Sequence, residues 1–426
     1  MSAPADSIAL SQPGLLAHRS YVAYWFARTA TNGAYQMQAV AVGWQIYALT
    51  GSAFDLGLVG LVQFFPVVVL GVVVGHIADR YDRRVVVGTC QVVKALAAAA
   101  FALGTLGGWL SRDVMLAILF VSGTARAFET PTMHTLVPGI VPPAILPRAI
   151  AASATASQTA IICGPALGGL LYVFGASTVY LVCTAVFVTA SVLISFIRLQ
   201  NAPPEKKPVS FETLFAGFRY IRHNKVVLGA ISLDLFAMLL GGVTALLPIY
   251  AKDVLAIGPW GLGLLRSAPA VGALATSVWL AHHQIERRLG QVLFVAVSVF
   301  GVAAIVFAFS TSLVISMLAL AVYGAGDAVS VVIRHSLVQT RTPNEMLGRV
   351  MAVNFMFTGT SGTLGEFRAG TIAALFGAFT SVLVGGVGAV VVALLWTRLF
   401  PELARIDSIQ SHADQASKSP REARSS

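Results

Sequence analysis

The sequence predicts an all-α integral membrane protein: twelve transmembrane helices in two six-helix bundles related by a parallel pseudo-two-fold repeat. Composition, the spacing of apolar runs and a self-match between the halves predict it. Of 426 residues, 57% are hydrophobic and 11% charged, with a mean hydropathy of +0.80. A soluble domain is about 45–50% apolar. Cutting the chain at Gly, Pro and charge clusters leaves twelve apolar runs. They lie near 21–49, 54–77, 85–108, 113–136, 148–174, 178–198, 225–250, 259–282, 290–309, 313–340, 346–376 and 379–400. These are lengths that a hydrocarbon core of about 30 Å requires.

The self-match follows from two constant offsets. One pairs Gly123 with Gly324, His134 with His335, Arg148 with Arg349 and Gly164 with Gly365 without a gap. A second, two residues longer, pairs Gly60 with Gly263 and Pro66 with Pro269. Both halves then start on the same side, so the repeat axis runs along the membrane normal, as in transporters whose site lies between the halves.

The net charge of +10 does not point to nucleic acid, because the basic residues occupy short gaps between apolar runs. With both termini in the cytoplasm, only Arg112 and Lys252 of the 28 Lys and Arg fall in outer loops. Six lie within runs and the rest are cytoplasmic, as the positive-inside rule requires. The chain therefore divides into a cytoplasmic N-terminal segment (1–20), a bundle (21–198), a basic cytoplasmic connector (199–224), a second bundle (225–400) and a disordered cytoplasmic tail (401–426). The connector holds PPEKKP and the amphipathic stretch FETLFAGFRYIRH. No cleavable signal peptide is expected, since no basic residue precedes an early apolar run. Cys90, Cys163 and Cys183 lie inside apolar runs without a CxxC pair, which predicts free thiols and no metal site. No cofactor is expected.

Two motifs stand out. GHIADRYDRR (75–84) packs Asp79, Arg80, Asp82, Arg83 and Arg84 into six positions between two uncharged runs. AIICGPALGG (160–169) sets Ala156, Ala160, Gly164 and Gly168 one helical turn apart, a small-residue stripe that lets helices approach closely. Pro165 within it bends the helix and frees a carbonyl. Together with six plus six runs and a basic connector, these stretches resemble the major facilitator superfamily. Its loop pattern Gly-x-x-x-Asp-Arg-x-Gly-Arg-Arg is matched by Gly75, Asp79, Arg80, Arg83 and Arg84, with Asp82 replacing the second Gly. The corresponding loop of the second half keeps only Arg287 and Arg288. Gly164, Pro165, Gly168 and Gly169 are similar to the antiporter motif, with Ala160 in place of its leading Gly.

Within the superfamily the chain looks most like the bacterial branch of enterobactin exporters and macrolide efflux proteins. The resemblance implies secondary active, proton-coupled export of an amphipathic organic solute, such as a siderophore or drug, by alternating access. Its partners would be that solute, protons and the lipid bilayer of the bacterial inner membrane. Oligomeric state is left open, and a monomer is compatible. It also implies a contact between Asp79 and the start of the eleventh run near Leu347 to Val350, formed while the cavity opens outward. An uptake permease of the same fold is the nearest alternative. More remote are a channel and an intramembrane aspartyl protease, the latter for a literal GxGD at 324–327, YD at 81–82 and PAL at 165–167.

A charge inside a bilayer costs about 2.5–3.5 kcal/mol or more, so each one asks for a reason. The acids are Glu129, Asp234, Asp327 and Glu366; the bases are Arg28, Lys94, Arg126, Arg266, Arg334 and Arg368. Of these, Arg28, Arg126, Glu129, Asp234 and Asp327 fall on the first, fourth, seventh and tenth runs, which line the cavity in this superfamily. Glu129 and Asp234 are the expected proton carriers, since a carboxyl in a low-dielectric cavity can load and release a proton near neutral pH. Arg126, three residues before Glu129, is its expected neighbour. Lys94 is expected to snorkel or pair with a carboxylate. Tyr24, Trp25, Tyr35, Trp44 and Tyr47 supply aromatic surface to the first run.

Overall fold

The computed structural model describes residues 14–199, 211–283, 285 and 287–407, without the side chains of Leu16, 72–79 and 211–215. Residues 1–13, 200–210 and 408–426 of the predicted terminal segments and connector therefore lie outside the described residues, as does the Asp79 side chain. Among the described residues every element is helical. The long elements α1 (Arg19–Thr50), α2 (Ala53–Arg80), α3 (Arg83–Leu106), α4 (Arg112–Ile140), α5 (Leu146–Tyr172) and α6 (Ala176–Ser195) precede the short α7 (Phe211–His223). Then come α8 (Lys225–Leu240), α9 (Val243–Ile249) with a π turn to Val254, α10 (Gly258–His282), α11 (Leu289–Phe309), α12 (Leu313–Arg341), α13 (Asn344–Phe376) and α14 (Ala378–Leu399).

Nine helical segments among the described residues are long and apolar enough to cross a bilayer, the α8–α9 segment counting as one. α1, α4 and α13 are longer than a bilayer requires, at 32, 29 and 33 residues, but are too polar to join them. They carry Arg28, Asn32 and Gln36, Arg126 and Glu129, and Glu366 and Arg368.

One predicted run is not continuous. The stretch 225–250 breaks at Gly241-Gly242, a dipeptide that signals a turn. Gly242 takes φ +87°, and the carbonyl of Gly365 on α13 fills the space where a side chain would stand. The break leaves the last carbonyls of α8 without helical partners. Arg368 Nη2 donates to two of them, Leu240 O at 2.6 Å and Gly241 O at 2.8 Å. The cation thus sits at the negative end of the α8 dipole.

α1 packs on α5 and α6, α3 on α4 and α6, and α2 on α4; α12 packs on α10 and α11, and α14 on α11 and α8. The principal contacts joining α1–α6 to α8–α14 are α5 with α10 and α2 with α13, with smaller ones of α1 with α9 and α10 and of α2 with α9. They concentrate at the end of the array that holds Thr50. There a methyl group on Gly263 would lie 2.5 Å from Pro165 O, and one on Gly57 would lie 3.1 Å from Gly370 Cα. The Phe54 and Phe367 rings meet at 5.7 Å, and the Tyr47 hydroxyl donates to Asp253 while Lys252 Nζ sits 5.2 Å from the Tyr47 ring. At the opposite, Arg80 end, the start of α13 packs on α7, where a methyl on Gly217 would lie 2.8 Å from Arg349 O, and is open on its other side. A methyl on Gly348 would meet nothing within 4 Å, and Arg349 is exposed.

Candidate functional site

The buried face of α3 repeats at helical spacing through Val87, Cys90, Gln91, Lys94, Ala97, Ala98 and Phe101. Gln91 and Lys94 interrupt this apolar stripe and turn toward α4. Lys94 Nζ lies 2.7 Å from Glu129 Oε2 and 4.6 Å from the Phe187 ring centre. Gln91 Nε2 donates to Glu129 Oε1 at 2.5 Å and to Thr31 Oγ1 of α1 at 2.8 Å. Glu129 is thereby satisfied at both oxygens. Its partner is Lys94, not the expected Arg126. That guanidinium instead stacks 3.9 Å above the Tyr35 ring, whose hydroxyl donates to Gln63 Oε1 at 2.9 Å.

A second ion pair forms among α8, α12 and α13. Asp234 pairs with Arg334, both buried, and accepts from Thr358 Oγ1 at 3.2 Å. Beside it is a pocket lined by Asp234, Ala237, Met238, Val297, Phe300, Gly326, Asp327 and Ser330. Asp327 has neither an ion pair nor a hydrogen bond among the described residues. In the first half, two cations lack a carboxylate partner among the described residues. Arg28 donates to Ser157 Oγ at 3.1 Å and Tyr24 Oη at 2.6 Å, and Arg126 sits on the Tyr35 ring.

The other predicted intramembrane ions are spread out. Glu366 accepts from Thr244 Oγ1 at 2.9 Å, Arg266 Nη1 donates to Ala39 O at 3.1 Å, and Arg368 caps α8. Sequence reasoning did not single out Gln91, Thr31 or Thr358. For Gln91 the signal was present, as a polar residue in step with the apolar stripe of α3.

Both motifs take definite places. Asp82, where the family pattern has Gly, is the N-cap of α3. It accepts from Arg84 N at 2.9 Å and from Arg84 Nη2 at 2.6 Å. The adjacent guanidinium holds the Asp82 carboxyl below its usual range. Arg84 Nη1 also reaches Ile197 O at 3.0 Å, and Arg83 Nη1 reaches Thr135 O at 3.1 Å, so the turn ties α3 to its neighbours. In α5 the small-residue stripe packs on α1: methyl groups on Gly164 and Gly168 would lie 2.7 Å from Gln36 Cβ and Met37 Cα. Gly169 and Pro165 face α10. No protease dyad assembles, because Asp82 is tied into the turn while Asp327 lies midway along α12.

The chain as a whole is similar to known proteins. A family model described as transmembrane secretion effector matches residues 11–423. The enterobactin exporter EntS of Salmonella typhi is 29% identical over 413 residues, covering 92% of this chain and 94% of that protein. Among solved structures, a bacterial homologue of the human lysosomal transporter Spinster superposes with a TM-score of 0.72 at 14% identity, covering 92% of this chain and 99% of that one. A bacterial homologue of the iron transporter ferroportin superposes at 0.69 with 19% identity, over 92% and 100%. The chain is thus a multi-pass membrane transporter and not an enzyme, and it belongs to the transmembrane secretion effector family of the major facilitator superfamily.

Proposed function

We propose that the chain exports an amphipathic organic solute, of siderophore or drug type, across the bacterial inner membrane in exchange for protons. α1, α4 and α13 join the nine apolar segments as spans, giving two six-helix bundles at 21–198 and 225–400 with both termini in the cytoplasm. The Arg80 end, rich in Arg and Lys, is then cytoplasmic. The relatives named as enterobactin exporters support the direction.

The asymmetric closure carries this reading. The two halves touch at the Thr50 end, while the start of α13, packed on α7, leaves open space beside Gly348; this supports a conformer that admits solute from the cytoplasm and seals the outside. Alternating access requires the reverse conformer, in which the Thr50 contacts part and Asp79 meets the start of α13.

For the proton we favour Asp327 over the expected Glu129 and Asp234. Protonating either of those acids strands a buried cation, Lys94 or Arg334, which is strongly unfavourable. Asp327 takes a proton without breaking a pair. The charged groups around it are Asp234, which shares its pocket and is paired with Arg334, and, through Tyr323, Glu366.

The test is enterobactin accumulation by everted vesicles energised by respiration. Export predicts saturable accumulation that nigericin abolishes. Accumulation only in right-side-out vesicles indicates an uptake permease, and non-saturating flux a channel.

A further inference from the structure

The offset that pairs Gly123 with Gly324 also pairs Arg126 with Asp327. Each charged residue therefore lies three positions beyond its glycine, and each glycine makes the same kind of contact. A methyl on Gly123 of α4 would lie 2.5 Å from the Gln63 carbonyl of α2. One on Gly324 of α12 would strike the Pro269 carbonyl of α10. α2 and α10 are themselves partners in the repeat. Equivalent positions about an axis along the membrane normal lie at equal depth on opposite walls. At this depth one wall carries a cation and the other an acid.

Neither charge has a counter-ion among the described residues. Arg126 is exposed, sits 3.9 Å from the Tyr35 ring centre and has no carboxylate partner among the described residues. Asp327 faces the pocket shared with Ser330, Met238 and Phe300, without a partner among the described residues. Every other intramembrane acid has one: Lys94 for Glu129, Arg334 for Asp234 and Thr244 for Glu366. An unpaired ion at membrane depth is expensive, and a substrate pathway is the usual reason to keep one.

We propose that Arg126 and Asp327 are the two poles of one solute site, which selects a dipolar amphipathic solute. Its anionic group, carried on an aromatic or other planar body, lies against Arg126 and Tyr35, and its cationic group lies at Asp327. A guanidinium on a ring offers both a bidentate donor to a carboxylate and a stacking surface. Met238 and Phe300 give the Asp327 pole an apolar surround. This inference rests on the transporter reading above and specifies its solute. Arg28, held by Ser157 and Tyr24 on the same side as Arg126, raises the positive potential of that pole.

The test uses three dansyl probes on the full chain in detergent, with binding read from dansyl emission and counterflow read in proteoliposomes. Dansyl-lysine carries both charges, dansylcadaverine only the amine, and dansyl-aminohexanoate only the carboxylate. The wild type is expected to bind dansyl-lysine about ten-fold tighter than either single-charge probe, the scale of one desolvated charged contact. Arg126→Gln should bring dansyl-lysine down to the level of dansylcadaverine. Asp327→Asn should bring it down to that of dansyl-aminohexanoate. Affinity ratios are read within each protein, so a partly unfolded variant still reports. Exchanging the charges, Arg126→Asp with Asp327→Arg, should restore the preference. The inference is overturned if the wild type prefers a single-charge probe or binds none, or if neither variant moves the ratios. Binding in the expected order without counterflow keeps the site and removes the transport reading. Counterflow of a single-charge probe as fast as dansyl-lysine does the reverse.

Discussion

Lys94 Nζ lies 2.7 Å from Glu129 Oε2, and neither side chain is more than 6% exposed. Removing one member of such a pair leaves the other as an uncompensated buried charge, at a cost of about 3–5 kcal/mol. Replacing both with apolar groups of similar volume is near neutral or stabilising. Glu129→Gln is therefore expected to lower the melting temperature and the folded yield, while Lys94→Leu with Glu129→Leu recovers both. Thermal denaturation of the detergent-solubilised proteins measures this. Equal destabilisation of the single and double variants would show that the pair holds nothing together.

The pair also marks where the sequence stopped being legible. Glu129 and Lys94 were both recognisable as intramembrane ions, because a charge inside an apolar run is conspicuous. Their pairing depends on the rotational register of α3 against α4, and no local pattern encodes that. The three-residue spacing suggests Arg126 as the neighbour of Glu129, but Tyr35 holds it. The long helices followed from hydropathy with ends within four residues. The seventh run hid a Gly-Gly break, since apolar composition alone cannot show that Arg368 and Gly365 stabilise an interrupted backbone. The stripe on α5 was readable as small residues, whereas its contact with Met37 was not.

Asp327 distinguishes coupling from binding. Asp327→Asn keeps the size of the side chain and removes the titrating group. It is expected to abolish accumulation driven by a pH gradient in everted vesicles, while counterflow at saturating solute continues at reduced affinity. Glu129→Gln, corrected for its folded fraction, should remain coupled. Full pH-driven accumulation by Asp327→Asn would return the proton to one of the paired acids.

The turn at Asp82 carries a pH dependence whose sign is fixed. Its folded carboxyl is held below the ordinary carboxylate value by Arg84. As pH falls, the unfolded chain therefore takes up the proton first. The stabilisation is complete above about pH 4, the unfolded value, and is lost as pH drops through the folded one. Loss of an N-cap costs roughly 1 kcal/mol, or about 1–2 °C in a chain of this size. Asp82→Ala should therefore melt lower than wild type at pH 7, with the gap narrowing as the pH approaches 3. A gap that is constant across this range would assign the effect to packing and not to the carboxylate.

Gly263 sits where α5 and α10 cross at the Thr50 end, so a side chain there would force the two helices apart. A methyl there would lie 2.5 Å from Pro165 O and 3.1 Å from Gly169 Cα, and these are backbone atoms that cannot rotate away. Gly263→Leu must hold α5 and α10 apart, so it penalises the conformer closed at the Thr50 end and favours its opposite. Gly71 has nothing within 4 Å, and Gly71→Leu is the neutral comparison. The reporter is Gly348→Cys, placed at the start of α13 where the surroundings are open, in a Cys163→Ser background because Cys163 is exposed. Labelling by a membrane-impermeant maleimide in everted vesicles should fall several-fold in the Gly263→Leu background and stay unchanged with Gly71→Leu. Transport should fall in parallel, because a carrier that cannot close one end cannot complete its cycle. Undiminished labelling with normal transport would mean that the α5–α10 crossing stays packed through the whole cycle, and the moving contact would then have to be sought between α2 and α13, where Gly57 and Gly370 meet.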